Sequence, residues 1–389
     1  MISPIDASSS TYRIEAMAQR KDTGLISGCG SGACTWSMDA RIVPGNSCRA
    51  PIPCKFRRKP MRLLVLNCHE AWIYQLRLLD ADLDIVVDLP GRAVAGWDTR
   101  MRPLPPRAQT LQLFDALALP GSTWDAVVCH NITDLLDTAP IAAPHLLIVH
   151  DVLDGRMAQQ GATFDRQDMI DRLRAYLGMI GAHAVAVSNA KGASWGVNGR
   201  PLLFSADPSD YLTPRQTRAA GLRVANDISA KRVFLNWSFH EEAFAALPVT
   251  IVGRNPDMGI EPARDWDELK RHFAEHRFFV HTADPHFEDG YNMAMVEAMA
   301  AGLPVVSNAH PTSPLTHGVD GFLAASPGDA RAYAEALLAD ATLARTMGDA
   351  ARHTAMTRFS PAAFRAGAAD AVARAKKKYR RRQRAIAAA

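Results

Sequence analysis

The chain is expected to be an α/β protein made of two doubly wound halves facing a central cleft. Three observations point there. From Met61 onward, short apolar runs of strand length alternate with helical periods. The runs are apolar throughout, as suits strands of a parallel sheet covered on both faces. The alternation pauses in the turn-rich stretch 207–214 and then starts again.

The first series consists of residues 63–66, 85–87, 126–129, 146–149 and 184–187, with helical periods at 75–79 and 165–179. A hinge is expected near 210–220. The second series is 233–235, 249–252, 278–280, 305–306 and 322–323. These give a first half over 61–212, a second over 213–365, and a C-terminal helix and basic tail over 366–389. Residues 1–60 are rich in Ser, Gly and Ala without a sustained apolar period, and a disordered leader is expected there. The abrupt opening of the first strand makes Met61 a candidate biological start.

Composition narrows the function classes. At 389 residues, with 48% hydrophobic and 22% charged, the chain can bury two cores. No apolar run approaches the roughly eighteen residues that cross a bilayer. A net charge of +4 is too small to imply nucleic acid, and no nucleic-acid module accompanies it. Basic clusters sit at 55–59 and from Lys376 to Arg384. These read as solvated ends, or as a peripheral contact with an anionic membrane through Lys376 to Arg384. Of six cysteines, Cys29, Cys34, Cys48 and Cys54 fall in the leader, while Cys68 and Cys129 lie in or beside strand-like runs. Their spacing fits no zinc pattern, so no metal and no cofactor is expected. Without a basic-then-apolar opening, the chain is expected in the cytoplasm, where two core thiols stay reduced.

The most informative stretch is Asp289-Gly290-Tyr291-Asn292-Met293-Ala294-Met295-Val296-Glu297, followed by Ala298-Met299-Ala300-Ala301-Gly302-Leu303-Pro304-Val305-Val306. It reads as loop, helix, tight stop and buried strand. Gly290 permits the turn into the helix, and Gly302 suits the left-handed residue past its end. A helix start is an anion site, because its first N–H groups lack internal partners. Asp289 at the mouth and Glu297 about two turns in can accept hydrogen bonds from hydroxyls on either side. A nucleotide sugar has that distribution of groups.

The run resembles the motif of glycosyltransferase family 4, in which an acidic residue, Gly, an aromatic and a polar residue precede Glu and an Ala-Met-Ala-x-Gly-x-Pro-Val-Val string. The resemblance is strongest over 277–360, with Gly318-Val319-Asp320-Gly321-Phe322-Leu323 and Met347-Gly348-Asp349-Ala350-Ala351-Arg352 also matching. It implies the GT-B fold, with an acceptor-side first half and a nucleotide-sugar-binding second half. It further implies metal-independent, retaining transfer of a hexose to a glycan or lipid-linked acceptor. Asp289 would face the donor sugar and Glu297 would hold the ribose. Gly290, Tyr291, Asn292 and Met293 would line the donor. Leu146-Leu147-Ile148-Val149-His150-Asp151 resembles the family's strand ending in His-Asp, so His150 would reach the donor sugar across the cleft.

Departures from the pattern are equally plain. The family usually has Glu where Asp289 stands, and Glu288 sits one position early. After residues 231–235, where Gly-Arg and a later Lys are expected for the diphosphate, the chain has no cation until Arg254. Arg254 is then the main diphosphate candidate and Arg232 the lesser one, with a surface cation as the alternative for either. The first-half glycine loop is replaced by Asn67-Cys68-His69-Glu70. A catalytically silent sugar-nucleotide or glycan binder on the same fold is the rival these departures raise.

Overall fold

The computed structural model describes residues 60–89 and 96–389. The leader expected over 1–60 lies, but for Pro60, outside them. Met61–Ala389 falls in one compact unit holding two sheets.

The first sheet contains β1 (Met61–Leu66), β2 (Ala81–Val87), β3 (Ala108–Gln112), β4 (Ala126–Cys129), β5 (His145–Val149) and β6 (His183–Ala186). All pairings are parallel, in the order β3-β2-β1-β4-β5-β6. The order reverses between β1 and β4, and in open α/β sheets the crevice at the carboxyl ends of such a pair is where ligands bind. β1, β4 and β5 are buried along most of their length, which is why their sequences are continuous apolar runs. The edge strand β3, Ala-Gln-Thr-Leu-Gln, is largely exposed and polar, so no apolar run announced it.

The second sheet is β7 (Arg218–Val224), β8 (Val249–Val252), β9 (His276–His281), β10 (Val305–Asn308) and β11 (Gly321–Ala324), in the order β11-β10-β9-β7-β8 and again parallel. Its reversal lies between β9 and β7. Here the structure corrects the expectation. Residues 233–235 are turn, with Val233 53% exposed, and the strand that opens this half is Arg218–Val224. That strand was hidden by its small residues. A Cβ on Gly221 would stand 2.6 Å from the Phe278 ring, so the close packing of β7 on β9 requires the glycine that weakens the apolar signal.

The chain ends in one helix, Pro361–Ala387, longer than the segment expected from 366. It returns to the first half, where Phe364 meets the Trp72 ring edge-on at 6.0 Å. Lys376 pairs with Asp125, and Arg382 Nε donates to the Met179 carbonyl at 2.7 Å. Part of the basic run therefore docks this helix. Among the described residues, no helix is long and apolar enough to cross a membrane.

One apolar cluster runs through both halves, from Leu63, Trp72 and Ile73 through Phe204 to Tyr291, Met295 and Phe364. Around it, Gly155 of the helix Leu153–Gln160 lies so close to the second half that an added Cβ would be 2.3 Å from the Phe287 carbonyl oxygen and 2.7 Å from the Phe234 ring. Gly155→Val should therefore force the halves apart at this point and cost about 1–3 kcal/mol. Urea unfolding reads this out, and an unchanged midpoint would show that the contact is not maintained in solution.

Candidate active site

The site is organised by the helix Met293–Ala300, whose residues from Met295 onward are buried. Apart from Glu297 it is apolar all round, because it packs between the second sheet and the helix Ala341–Arg358. Asn292 caps it, accepting from Met295 N at 2.9 Å, and Gly302 ends it with φ +85°. Gly290 makes the turn into the helix without a left-handed conformation. Its glycine is required by space, since a Cβ would lie 2.6 Å from His310 Nδ1. Gly290 N donates to Thr312 Oγ1 at 2.8 Å.

Asp289 is fully buried, a position in which a carboxylate needs charged or hydrogen-bonding partners. Thr312 Oγ1 donates to Asp289 Oδ1 at 3.3 Å. From the first half, Lys191 brings its ammonium to 2.8 Å from Glu288 Oε1 and 3.6 Å from Asp289 Oδ2. Lys191 stands on the short helix Asn189–Ser194, capped by Ser188, which accepts from Lys191 N at 3.1 Å. Burial works against its charge, but Glu288, Asp289 and Asp151 together outweigh burial and raise its pKa.

Glu297 likewise faces a cation from the first half. Arg102 Nη2 donates to Glu297 Oε1 at 2.5 Å, and both side chains are nearly sealed from solvent. The guanidinium lies 4.2 Å over the Trp266 ring, and Trp97 Nε1 holds the Arg102 carbonyl at 2.9 Å. Tyr211 is beside the pair, its phenol pushed up by desolvation and then by the Glu297 charge. Ala71, Tyr74, Gln75, Asp207 and Asp210 complete this small chamber.

The remaining expected residues take several environments. Tyr291 is buried, with Phe359 at 5.5 Å and Phe204 at 6.1 Å, and burial raises its phenol to about 12. Met293 Sδ accepts from Gln75 Nε2 at 3.8 Å across the join. Arg254 is 56% exposed and pairs with Asp227 at 2.8 Å, where Lys231 also converges at 3.6 Å. His150 follows β5, and its Nε2 lies 2.9 Å from His130 Nδ1, the residue following β4. Desolvation, more than any neighbouring charge, lowers its pKa to about 3. Asp151 pairs with Arg156 at 2.7 Å.

At the reversal point of the second sheet, Arg223 is buried and donates to Thr282 Oγ1 at 2.7 Å, while His281 and His310 each keep a buried Nε2 without a hydrogen-bond partner. His281 is lowered to about 3 by burial and then by Arg223.

Known proteins agree with this geometry at the level of fold. Residues 247–340 match the family model described as Glycosyl transferases group 1. The chain is similar to Anabaena Alr3699/HepE in complex with UDP and glucose, at 13% identity and TM-score 0.56, over 80% of this chain and 99% of that one. This is a GT-B protein related to the group 1 glycosyl transferases. Sucrose-phosphate synthase from Thermosynechococcus elongatus is similar at 14% identity and TM-score 0.51, over 85% and 100% of the two chains. A glycosyltransferase from Rickettsia africae is similar at 12% identity and TM-score 0.52, over 81% and 98%. No curated protein sequence matches the chain.

Lys191, Arg102, Arg223 and Trp266 were not among the residues picked from the sequence. Lys191 had a signal, a lysine three residues after a serine that ends a strand. Arg223 was missed with its strand. Arg102 lies in a stretch without regular periodicity, and only packing brings it to Glu297.

Replacing Lys191 leaves two carboxylates without their buried cation. Lys191→Met should cost about 3–5 kcal/mol at neutral pH, and Glu288→Gln in the same chain should restore part of it. A denaturant midpoint unaffected by Lys191→Met would refute the pairing.

The buried histidines make a second expectation. His240, His276 and His281 are held at about 2, 4 and 3, chiefly by burial. Each folded value lies below the unfolded value of about 6.5, so each contributes stability in full above that pH and loses it as pH falls toward the folded value. Stability should drop by on the order of 1 kcal/mol per pH unit for each ring, about 3 for the three together, between about 6.5 and 5. Urea midpoints that stay level across this window would contradict the neutral, buried state of these rings.

Proposed function

We propose that the protein transfers a hexose from a nucleotide-sugar donor to a glycan or lipid-linked acceptor, with retention of configuration. One observation carries the proposal. Asp289 and Glu297, the two carboxylates of a single turn and helix in the second half, both sit at the join opposite cations of the first half, Lys191 and Arg102. A site assembled this way can grip a donor from one side and expose its anomeric carbon to an acceptor from the other.

In this scheme the donor ribose takes the place of Arg102 on Glu297, exchanging one charge-assisted partner for two hydroxyl donors. Arg102, resting on Trp266, is then available to the diphosphate, together with Lys231, Arg254 and the helix start near Asn292. The bond between the anomeric carbon and the diphosphate oxygen breaks. The acceptor oxygen bonds to that carbon, and its proton passes to the departing phosphate oxygen. Asp289, with the Lys191 ammonium beside it, faces the positive charge that develops on the sugar. Neutral His150 orients a sugar or acceptor hydroxyl.

The rival, a silent binder of sugar nucleotides, has its own support. Arg254 and Lys231 are already committed to Asp227, and Glu297 to Arg102, so a donor must displace protein partners at each contact. Calorimetry with nucleoside diphosphates, followed by donor hydrolysis and transfer assays, separates the two. Binding without turnover across acceptors selects the rival.

Glu297→Ala should weaken nucleoside diphosphate binding by about 1.5–3 kcal/mol. His150→Ala should leave that binding nearly intact and lower kcat by about a hundredfold. Normal nucleotide affinity in the first variant, or normal turnover in the second, removes that residue from the proposed site.

A further inference from the structure

At the reversal point of the first sheet, three metal-ligating side chains meet that are far apart in the sequence. Cys68 lies two residues beyond β1, His130 follows β4 directly, and His150 follows β5 directly. β1, β4 and β5 are adjacent, so all three residues emerge at the carboxyl edge of neighbouring parallel strands. The Cys68 sulfur and one nitrogen from each imidazole lie within 4.8 Å of one another.

We propose that Cys68, His130 and His150 form a zinc-binding site with one coordination position open to the cleft. Zinc–nitrogen bonds of about 2.0–2.1 Å at tetrahedral angles place two nitrogens about 3.3 Å apart, and a nitrogen and a sulfur about 3.6 Å apart. His130 Nδ1 and His150 Nε2 are 2.9 Å apart, so the two nitrogens part by about 0.4 Å to take the ion, and the Cys68 sulfur, within 4.8 Å of both, closes to about 3.6 Å by side-chain rotation. A thiolate with two imidazoles is a borderline-soft donor set that suits zinc over calcium or magnesium.

The rings are already held. Trp72 meets His130 and His150 edge-on, with centroids 4.7 and 5.3 Å away. The His130 backbone is fixed because its N–H donates to Asp134 Oδ2 at 2.8 Å, and Asp134 N in turn donates to Asn131 Oδ1 at 2.8 Å. In the metal-free protein the facing ring nitrogens form one hydrogen bond, with a proton on one of them. Zinc takes the place of that proton, which moves to the other nitrogen of its own ring, and the Cys68 thiol proton is released to solvent. Affinity therefore rises with pH. Three protein ligands leave the fourth position to a water or to a ligand oxygen entering from the cleft.

The test uses the full chain with Cys29, Cys34, Cys48 and Cys54 changed to serine, so that the leader supplies no thiolate. After chelator treatment the protein is titrated with Co²⁺ and then Zn²⁺. The expected result is one Co²⁺ per chain with thiolate-to-cobalt charge-transfer absorption, displaced by Zn²⁺. Cys68→Ser should abolish that absorption, and His130→Gln should weaken Zn²⁺ binding by roughly tenfold or more. Circular dichroism and thermal unfolding establish that each variant is folded. If His130→Gln does not fold, Cys68→Ser decides alone, because its site is only partly buried and the change is nearly isosteric. No charge-transfer band in the parent, or a band that survives Cys68→Ser, overturns the proposal. None of these measurements depends on sugar transfer, so the zinc site can be overturned while the proposed activity stands; because His150 Nε2 cannot hold zinc and orient a hydroxyl at once, the hydroxyl role belongs to the metal-free protein.

Discussion

A lysine buried together with two carboxylates joins the halves of this protein. Lys191 comes from the first sheet's side, Glu288 and Asp289 from the second; Lys191 and Asp289 are removed from water and Glu288 is partly exposed. None of these charges is stable there alone, because desolvating an isolated ion costs several kcal/mol. The closed arrangement of the two halves and the pairing of Lys191 with Glu288 and Asp289 are therefore one condition. The placing of Glu297 against Arg102 follows from the same closure.

The cleft is filled by the protein's own polar groups. Glu297, the carboxylate expected to meet a ribose, already has an arginine, and that arginine already has the face of a tryptophan. Exchange of partners within such a chamber costs less than filling an empty polar pocket, because every group is desolvated and oriented beforehand. It also sets a condition for ligands. A molecule must offer donors to Glu297 and negative charge to Arg102 together, or one of the two is left unpaired in a dry site. A ribose next to a diphosphate meets both demands.

Both sheets reverse their strand order, and each places its unusual side chains at the reversal. In the first sheet these are Cys68, His130 and His150, and in the second Arg223, with His281 at the end of β9. At a reversal the connections leave in opposite directions and open a crevice. His150 and His281, kept neutral by desolvation, lie there and can accept as well as donate a hydrogen bond.

The sequence by itself determined the class, the alternation of strands and helices, and the helix from Met293 with its stop at Gly302, because continuous apolar runs and a left-handed glycine are local physical signatures. It also marked Asp289, Glu297 and His150, whose placement beside a turn or at a strand end follows from the chain immediately around them. It failed at β7, where Gly221 is small because Phe278 lies against it, and it could not show that space as well as the turn requires Gly290, because His310 is a neighbour distant in sequence. The partners were decided only in three dimensions. That Lys191 meets Asp289, that Arg102 meets Glu297, and that Cys68 meets His130 and His150 depends on strand order and on closure of the two halves. Burial then makes each of these encounters energetically important, and burial belongs to the tertiary structure rather than to any stretch of sequence.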